Sequence, residues 1–175
     1  MRINNVNLAE AGAFAEQVRR QPDLARKTKR VEGRWVFDQG RPQFSATLAY
    51  DQGERTVEAD FAPFMGGGGL APDPIQYCLY GLASCFGGTF VSVAAEKGVE
   101  LRAVTVVAEN RVDLSRALGL SDNPVVEQVS LTLRVEADAD AAVLEDLEAL
   151  ARHRCPGVYC LTHPIPLETR VERVS

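Results

Sequence analysis

The sequence offers little to a metal ion and less to a disulfide scaffold. It holds two histidines, His153 and His163, and four cysteines, Cys78, Cys85, Cys155 and Cys160. No two cysteines stand as C-x-x-C, and the histidines do not restore zinc-ligand spacing, so neither a metal nor another cofactor is expected. Four cysteines in 175 residues do not make the framework of a small secreted domain. Positive charge is also scarce, with 19 Lys and Arg against 24 Asp and Glu and a net charge of −5. The one basic cluster, Arg26, Lys27, Lys29 and Arg30, reads as a solvated turn after a helix. Nucleic acid binding calls for a basic stripe, so no nucleic-acid partner is expected. No apolar stretch follows Met1-Arg2-Ile3-Asn4-Asn5, so no secretory signal is read and the cytoplasm is the expected compartment. Lasting disulfides are uncommon there, and catalytic ones are favoured.

Charge is missing altogether from Pro74 to Ala95, which is the length of a membrane span. Gln76, Gly81, Ser84, Gly87, Gly88, Thr89 and Ser92 interrupt the apolar run, and no Lys/Arg asymmetry flanks it. The stretch reads as a buried helix, and no membrane partner is expected. Asp73 suits its cap and Pro74 its first position; Gly98 suits a left-handed stop after Lys97. A helix from Pro74 to Lys97 has 24 residues and a length of about 36 Å. Ile75, Tyr77, Leu79, Leu82, Phe86, Phe90, Val91 and Val93 occupy every face, so protein must surround it. One small domain can hardly do so, and the pattern points to a dimer.

The remaining chain alternates strands and helices without a βαβα repeat. Asn7 caps a helix carrying Leu8, Ala11, Ala15 and Val18, and Pro22 ends it. Between Val31 and Phe61, short β-rich runs separated by Gly33, Asp38-Gln39-Gly40 and Asp51-Gln52-Gly53 predict an antiparallel meander. Gly66–Gly69 predicts a mobile loop. Val104–Val112 and Val125–Ala137 predict strands joined by a connection over 114–124. Asp138 or Asp140 caps a helix that runs through Arg154, where Pro156 forces Cys155 out of the α region. Ile165–Val174 predicts a last strand. This order favours α+β, with residues 1–30 as a helical extension and 31–175 as the main domain.

Two segments carry a further signal. The first is Pro74-Ile75-Gln76-Tyr77-Cys78-Leu79-Tyr80-Gly81-Leu82-Ala83-Ser84-Cys85-Phe86; the second is Arg154-Cys155-Pro156, 70 residues after Cys85. Together they resemble the OsmC/Ohr family of thiol-dependent hydroperoxide reductases, from about Val31 to the C-terminus. The resemblance implies antiparallel sheets wrapped around a long central helix in an intertwined homodimer. It implies that Cys85 is the peroxidatic cysteine and Cys155 the resolving one. The substrate implied is an organic hydroperoxide, and the reductant an external dithiol such as a lipoyl group.

Burial raises a thiol's pKa, so the chemistry needs a cation near Cys85. The family holds an arginine there with a glutamate that follows the helix-opening proline. This chain has Ile75 in that place and Gln76, able to accept one hydrogen bond, next to it. Arg34, Arg41 and Arg55 lie where the arginine is expected, and no motif selects one. Cys78 and Cys160 read as packing cysteines, His153 and His163 as surface residues. Phe86 and Phe90 read as lining of an apolar pocket. The loss of the glutamate keeps a second reading open, a non-catalytic protein that binds a small apolar molecule at the dimer interface.

Overall fold

The computed structural model describes residues 1–174. In chain order it holds strands β1 (Arg2–Ile3) and β2 (Val6–Asn7), helix α1 (Leu8–Arg20), and strands β3 (Gly33–Trp35), β4 (Phe44–Tyr50) and β5 (Gly53–Ala59). Helix α2 (Pro74–Glu96) follows, then strands β6 (Leu101–Val112) and β7 (Val126–Ala137), and helices α3 (Ala141–Arg154) and α4 (Pro156–Thr162). Asn4 and Asn5, at φ 53° and 63°, make the tight turn between β1 and β2, a conformation asparagine tolerates better than most residues. The class is α+β, as the order of predicted elements requires. The chain divides into two compact units.

The first unit gathers Met1–Arg2, Asn7–Gly81 and Glu109–Val129. Asn7 caps α1 by accepting from the Glu10 N–H at 3.4 Å, and the helix stops before Pro22. The meander is β3–β4–β5, antiparallel throughout, with Trp35 opposite Phe44 and Phe44 opposite Ala59. Cross-strand partners share a face, so Trp35, Phe44, Ala46, Val57 and Ala59 form one apolar side.

The glycine run after β5 is tied down rather than mobile. Asp60 is 2% exposed, and its Oδ2 accepts from the N–H groups of Gly68 and Leu70 at 3.1 and 2.9 Å. Gly69 donates to the Phe61 carbonyl at 3.0 Å. A side chain on Gly67 would overlap that same carbonyl group, so glycine is required there by close approach. These bonds to the buried Asp60 Oδ2 and to the Phe61 carbonyl hold the loop, while Asp60 Oδ1 is buried with no hydrogen-bond partner.

The start of α2 belongs to this unit. Asp73 Oδ1 accepts from the Ile75 N–H at 2.7 Å, and Gln76 Oε1 accepts from the Asp73 N–H at 2.9 Å. This is a reciprocal capping box. Tyr77 donates its hydroxyl to the Glu58 carbonyl at 2.7 Å.

The second unit gathers Ile3–Val6, Leu82–Ala108 and the chain from Ser130 onward. Its core is Phe86, Phe90, Val93 and Ala94 of α2 with Leu147 and Ala151 of α3 and Cys155. Helix α2 ends as predicted, with Gly98 at φ 72° and the Val99 N–H bonded to Ala94 at 2.9 Å. Strands β6 and β7 pair. Arg102, early in β6, meets Glu136, late in β7, whereas Arg111, late in β6, meets Glu127, early in β7; the strands are therefore antiparallel. Asp140 is the cap residue of α3, with no side-chain bond to its N–H groups.

One predicted element is corrected. The segment Ile165–Val174 carries no strand among the described residues, and Leu167 and Val171 are 86% and 98% exposed. Its alternation suits a half-buried strand, but strand structure exists only where an edge is paired. Pro164 and Pro166 also remove two donors at its beginning. In place of a direct lead into a strand, residues after Cys155 form α4, a helix with no buried residue.

Candidate active site

Cys85 stands midway along α2, on the side that carries Leu82 and Phe86 into the core. Cys155 links α3 to α4. Pro156 excludes the α conformation for it, and it lies at φ −75°, ψ 119° while its N–H still bonds Ala151 at 2.9 Å. It is 1% exposed. The Cys155 thiol donates to the Cys85 sulfur, with the sulfurs 3.5 Å apart. Both are free thiols in contact, and a disulfide, at about 2.05 Å, requires only a small approach. Seventy residues of sequence separation thus close to one sulfur–sulfur contact.

A third residue completes the contact. Gly157, at the start of α4, lies beside Cys85, and its backbone amide lowers the pKa of that thiol. A Cβ at Gly157 would lie 3.3 Å from Leu82 Cδ1, 3.4 Å from Cys85 Cβ and 3.5 Å from Cys85 Sγ. Sequence reasoning missed Gly157, because a glycine after Cys-Pro carries no signal until α4 is seen to lie against α2. On the far side, a Cβ at Gly87 would meet Val106 Cγ2 at 2.8 Å, so glycine there lets β6 approach the helix.

Burial pushes the Cys85 thiol above its ordinary pKa, and the neighbouring Cys155 adds to the rise; the Gly157 N–H works in the opposite direction. The sign follows from charge: a thiolate loses hydration on burial, while a donated N–H stabilises it. Arg154, next to Cys155, is engaged elsewhere, bonded to Glu96 at 2.7 Å.

The other predicted participants fall in separate places. Ile75 is half-buried in the capping turn of α2. Gln76, considered above as an acceptor for an arginine, uses its Oε1 for the Asp73 N–H. Arg34 lies opposite Ser45 on the polar face of the meander, and Arg55 opposite Leu48 on the apolar one. Arg41 lies 3.8 Å from Asp38.

Cys78 and Cys160, expected as packing cysteines, are both exposed in this chain. Cys78 shares its helix with Cys85 but stands on an exposed position in the part of α2 that belongs to the first unit. Cys160 sits on α4, which buries no residue. His153 is exposed, and His163 stacks on Tyr159 at a centroid distance of 4.0 Å. Phe86 and Phe90 line a cleft of about 470 Å³ with Leu131, Leu133 and Leu144.

The family model for OsmC-like protein matches residues 66–170. An OsmC-like protein from Mycoplasma pneumoniae aligns at 18% identity with a TM-score of 0.53, covering 77% of this chain and 89% of its own. An organic hydroperoxide resistance protein OsmC from Legionella pneumophila aligns at 18% identity and a TM-score of 0.54, covering 78% and 92%. An OsmC-like protein of unknown function from Vibrio cholerae aligns at 18% identity and a TM-score of 0.55, covering 76% and 92%. No curated protein matches the sequence.

Proposed function

The chain belongs to the OsmC-like protein family, and from that premise we propose that it reduces organic hydroperoxides to alcohols with Cys85 and Cys155 as a dithiol pair. The observation that carries this is the 3.5 Å contact between two free thiols from distant parts of the chain. The Cys85 thiolate attacks the O–O bond; an alcohol leaves, and Cys85 becomes a sulfenic acid. The Cys155 thiol condenses with it, forming the disulfide and releasing water. Two electrons pass from the thiols to the peroxide. An external dithiol of the lipoyl kind then restores both thiols by exchange. That cycle suits a reducing compartment, the cytoplasm. The OsmC-like domain of this reading begins near residue 31, with residues 1–30 as an added helical segment, and works as a homodimer.

The test is stopped-flow oxidation of reduced protein by cumene hydroperoxide, followed by mass mapping. Rapid loss of two thiols and a Cys85–Cys155 bond are expected. If both thiols persist through the time course, the reductase reading fails.

A second reading draws on a different observation. The apolar face of the meander borders a cavity of about 450 Å³ lined by Val31, Trp35, Phe44, Val57, Phe61 and Tyr77. A volume of that order suits a small apolar ligand. Tight binding of such a ligand by protein whose thiols ignore peroxide would favour this reading.

A further inference from the structure

The cavity on the apolar face of the meander is bordered by a polar group whose needs the chain does not meet. Its lining comes from the meander region and the start of α2, all within the first unit. Gln43 uses both ends of its amide: Oε1 accepts from the Phe61 N–H at 3.3 Å, and Nε2 donates to the Gly66 carbonyl at 3.2 Å. Tyr77 donates its hydroxyl to the Glu58 carbonyl. Asp60 differs. It is 2% exposed and lines the cavity, and its Oδ2 serves the N–H groups of Gly68 and Leu70, which lie outside the lining. Its Oδ1 is buried with no hydrogen-bond partner. An unpaired oxygen on a buried carboxylate carries a desolvation cost, and a cationic donor is the partner that offsets most of it. Among the described residues, no Lys or Arg lines this cavity. The rings of Trp35, Phe44, Phe61 and Tyr77 share the lining with Asp60. Aromatic faces attract organic cations, and rings grouped with a carboxylate select an ammonium group over a neutral one.

We propose that this cavity binds a small organic ammonium ion, with the cationic group at the Asp60 carboxylate and the apolar body against Trp35, Phe44 and Phe61. A volume of about 450 Å³ suits a phenylalkyl amine. The inference rests on the cavity of the second reading and gives it a ligand class. It does not depend on peroxide chemistry, since neither Cys85 nor Cys155 is part of the lining.

The test is isothermal titration calorimetry of the full chain with 2-phenylethylammonium and with 2-phenylethanol, a neutral relative of nearly the same size. The ammonium ion should bind about tenfold tighter or more than the alcohol. Asp60→Asn, which keeps an oxygen for the Gly68 and Leu70 N–H groups, should abolish that preference and retain binding of the alcohol. Trp35→Leu leaves Asp60 and its loop untouched at a position 46% exposed, and should lower the preference by about threefold. Equal affinities of the parent protein for the two compounds overturn the cation assignment and leave a neutral apolar ligand standing. Binding of neither compound overturns the proposal together with the second reading. An undiminished preference in Asp60→Asn overturns the role of the carboxylate, and one in Trp35→Leu overturns the role of the rings. No readout involves a hydroperoxide, so failure of the peroxidase reading shows separately, as intact thiols in cumene hydroperoxide.

Discussion

At the residue scale, the two thiols differ in what their loss should do. Cys85→Ser removes the nucleophile and should abolish peroxide consumption. Cys155→Ser keeps the nucleophile and removes the thiol 3.5 Å away, so a sulfenic acid should accumulate and be trapped by dimedone. Wild-type turnover in both variants would remove the dithiol mechanism. The pH dependence has a definite sign. Burial holds the Cys85 thiol above its ordinary pKa, and thiolate is the reactive form. Its oxidation rate should therefore climb with pH through and beyond the ordinary cysteine range. A plateau at neutral pH in a stopped-flow profile would place a cation beside the sulfur, supplied from outside the contacts of this single chain. Beneath the pair, Phe90 is 1% exposed in the second unit's core, and Phe90→Ala should cost roughly 3–5 kcal/mol in urea denaturation.

At the element scale, the two long-helix starts make a paired prediction. Asp73 begins α2 with a reciprocal capping box, its carboxylate and the Gln76 side chain each satisfying a backbone N–H. Asp140 begins α3 without any side-chain bond. Asp73→Ala should cost about 1–2 kcal/mol, and Asp140→Ala less than about 0.5 kcal/mol, by denaturant midpoints at unchanged slope. Equal losses would show that the box contributes nothing beyond a generic acidic residue at a helix start. Helix limits were legible because caps and stops are local: Asn7, Asp73, Pro22 and Gly98 each act within one turn. The final strand was not legible as an error. Ile165, Leu167 and Val171 alternate with Pro166, Glu168 and Arg170, but alternation states which face seeks burial and cannot supply the edge that a strand needs.

At the scale of the whole molecule, the single chain leaves 13589 Å² accessible, whereas a folded monomer of this length exposes about 8,400 Å². Much of the excess is apolar: Tyr80 is 72% exposed on α2, Phe37 90%, Phe64 76% and Leu167 86%. Obligate interfaces bury roughly 2,000–5,000 Å² or more in total over both partners, and the excess of one chain alone, about 5,200 Å², already covers its half of that. A stable homodimer at micromolar concentration is the expected result of light scattering. A monomeric mass there would leave these faces without a role and the dimer proposal without support. Helix α2 is long and apolar enough to cross a membrane by length and composition alone. Its Leu82, Phe86, Phe90 and Val93 are core residues of the second unit, as a core helix requires.

The sequence by itself determined the α+β class, the meander, the long apolar helix with its cap and stop, and the two cysteines worth watching. The elements follow from short-range chemistry, hydrophobic period and turn residues, whereas the two cysteines stand out through the family resemblance of their segments. Tertiary structure alone decided that Cys85 and Cys155 touch, that Gly157 lies beside them, that Gln76 is occupied as a cap, and that Asp60 fastens the glycine loop. It also separated Cys78 and Cys160 from the core positions expected of them. These are contacts between residues far apart in the chain, or choices among several available partners. Local pattern fixes which groups need a partner, while the partner each one obtains depends on which elements come to lie against one another.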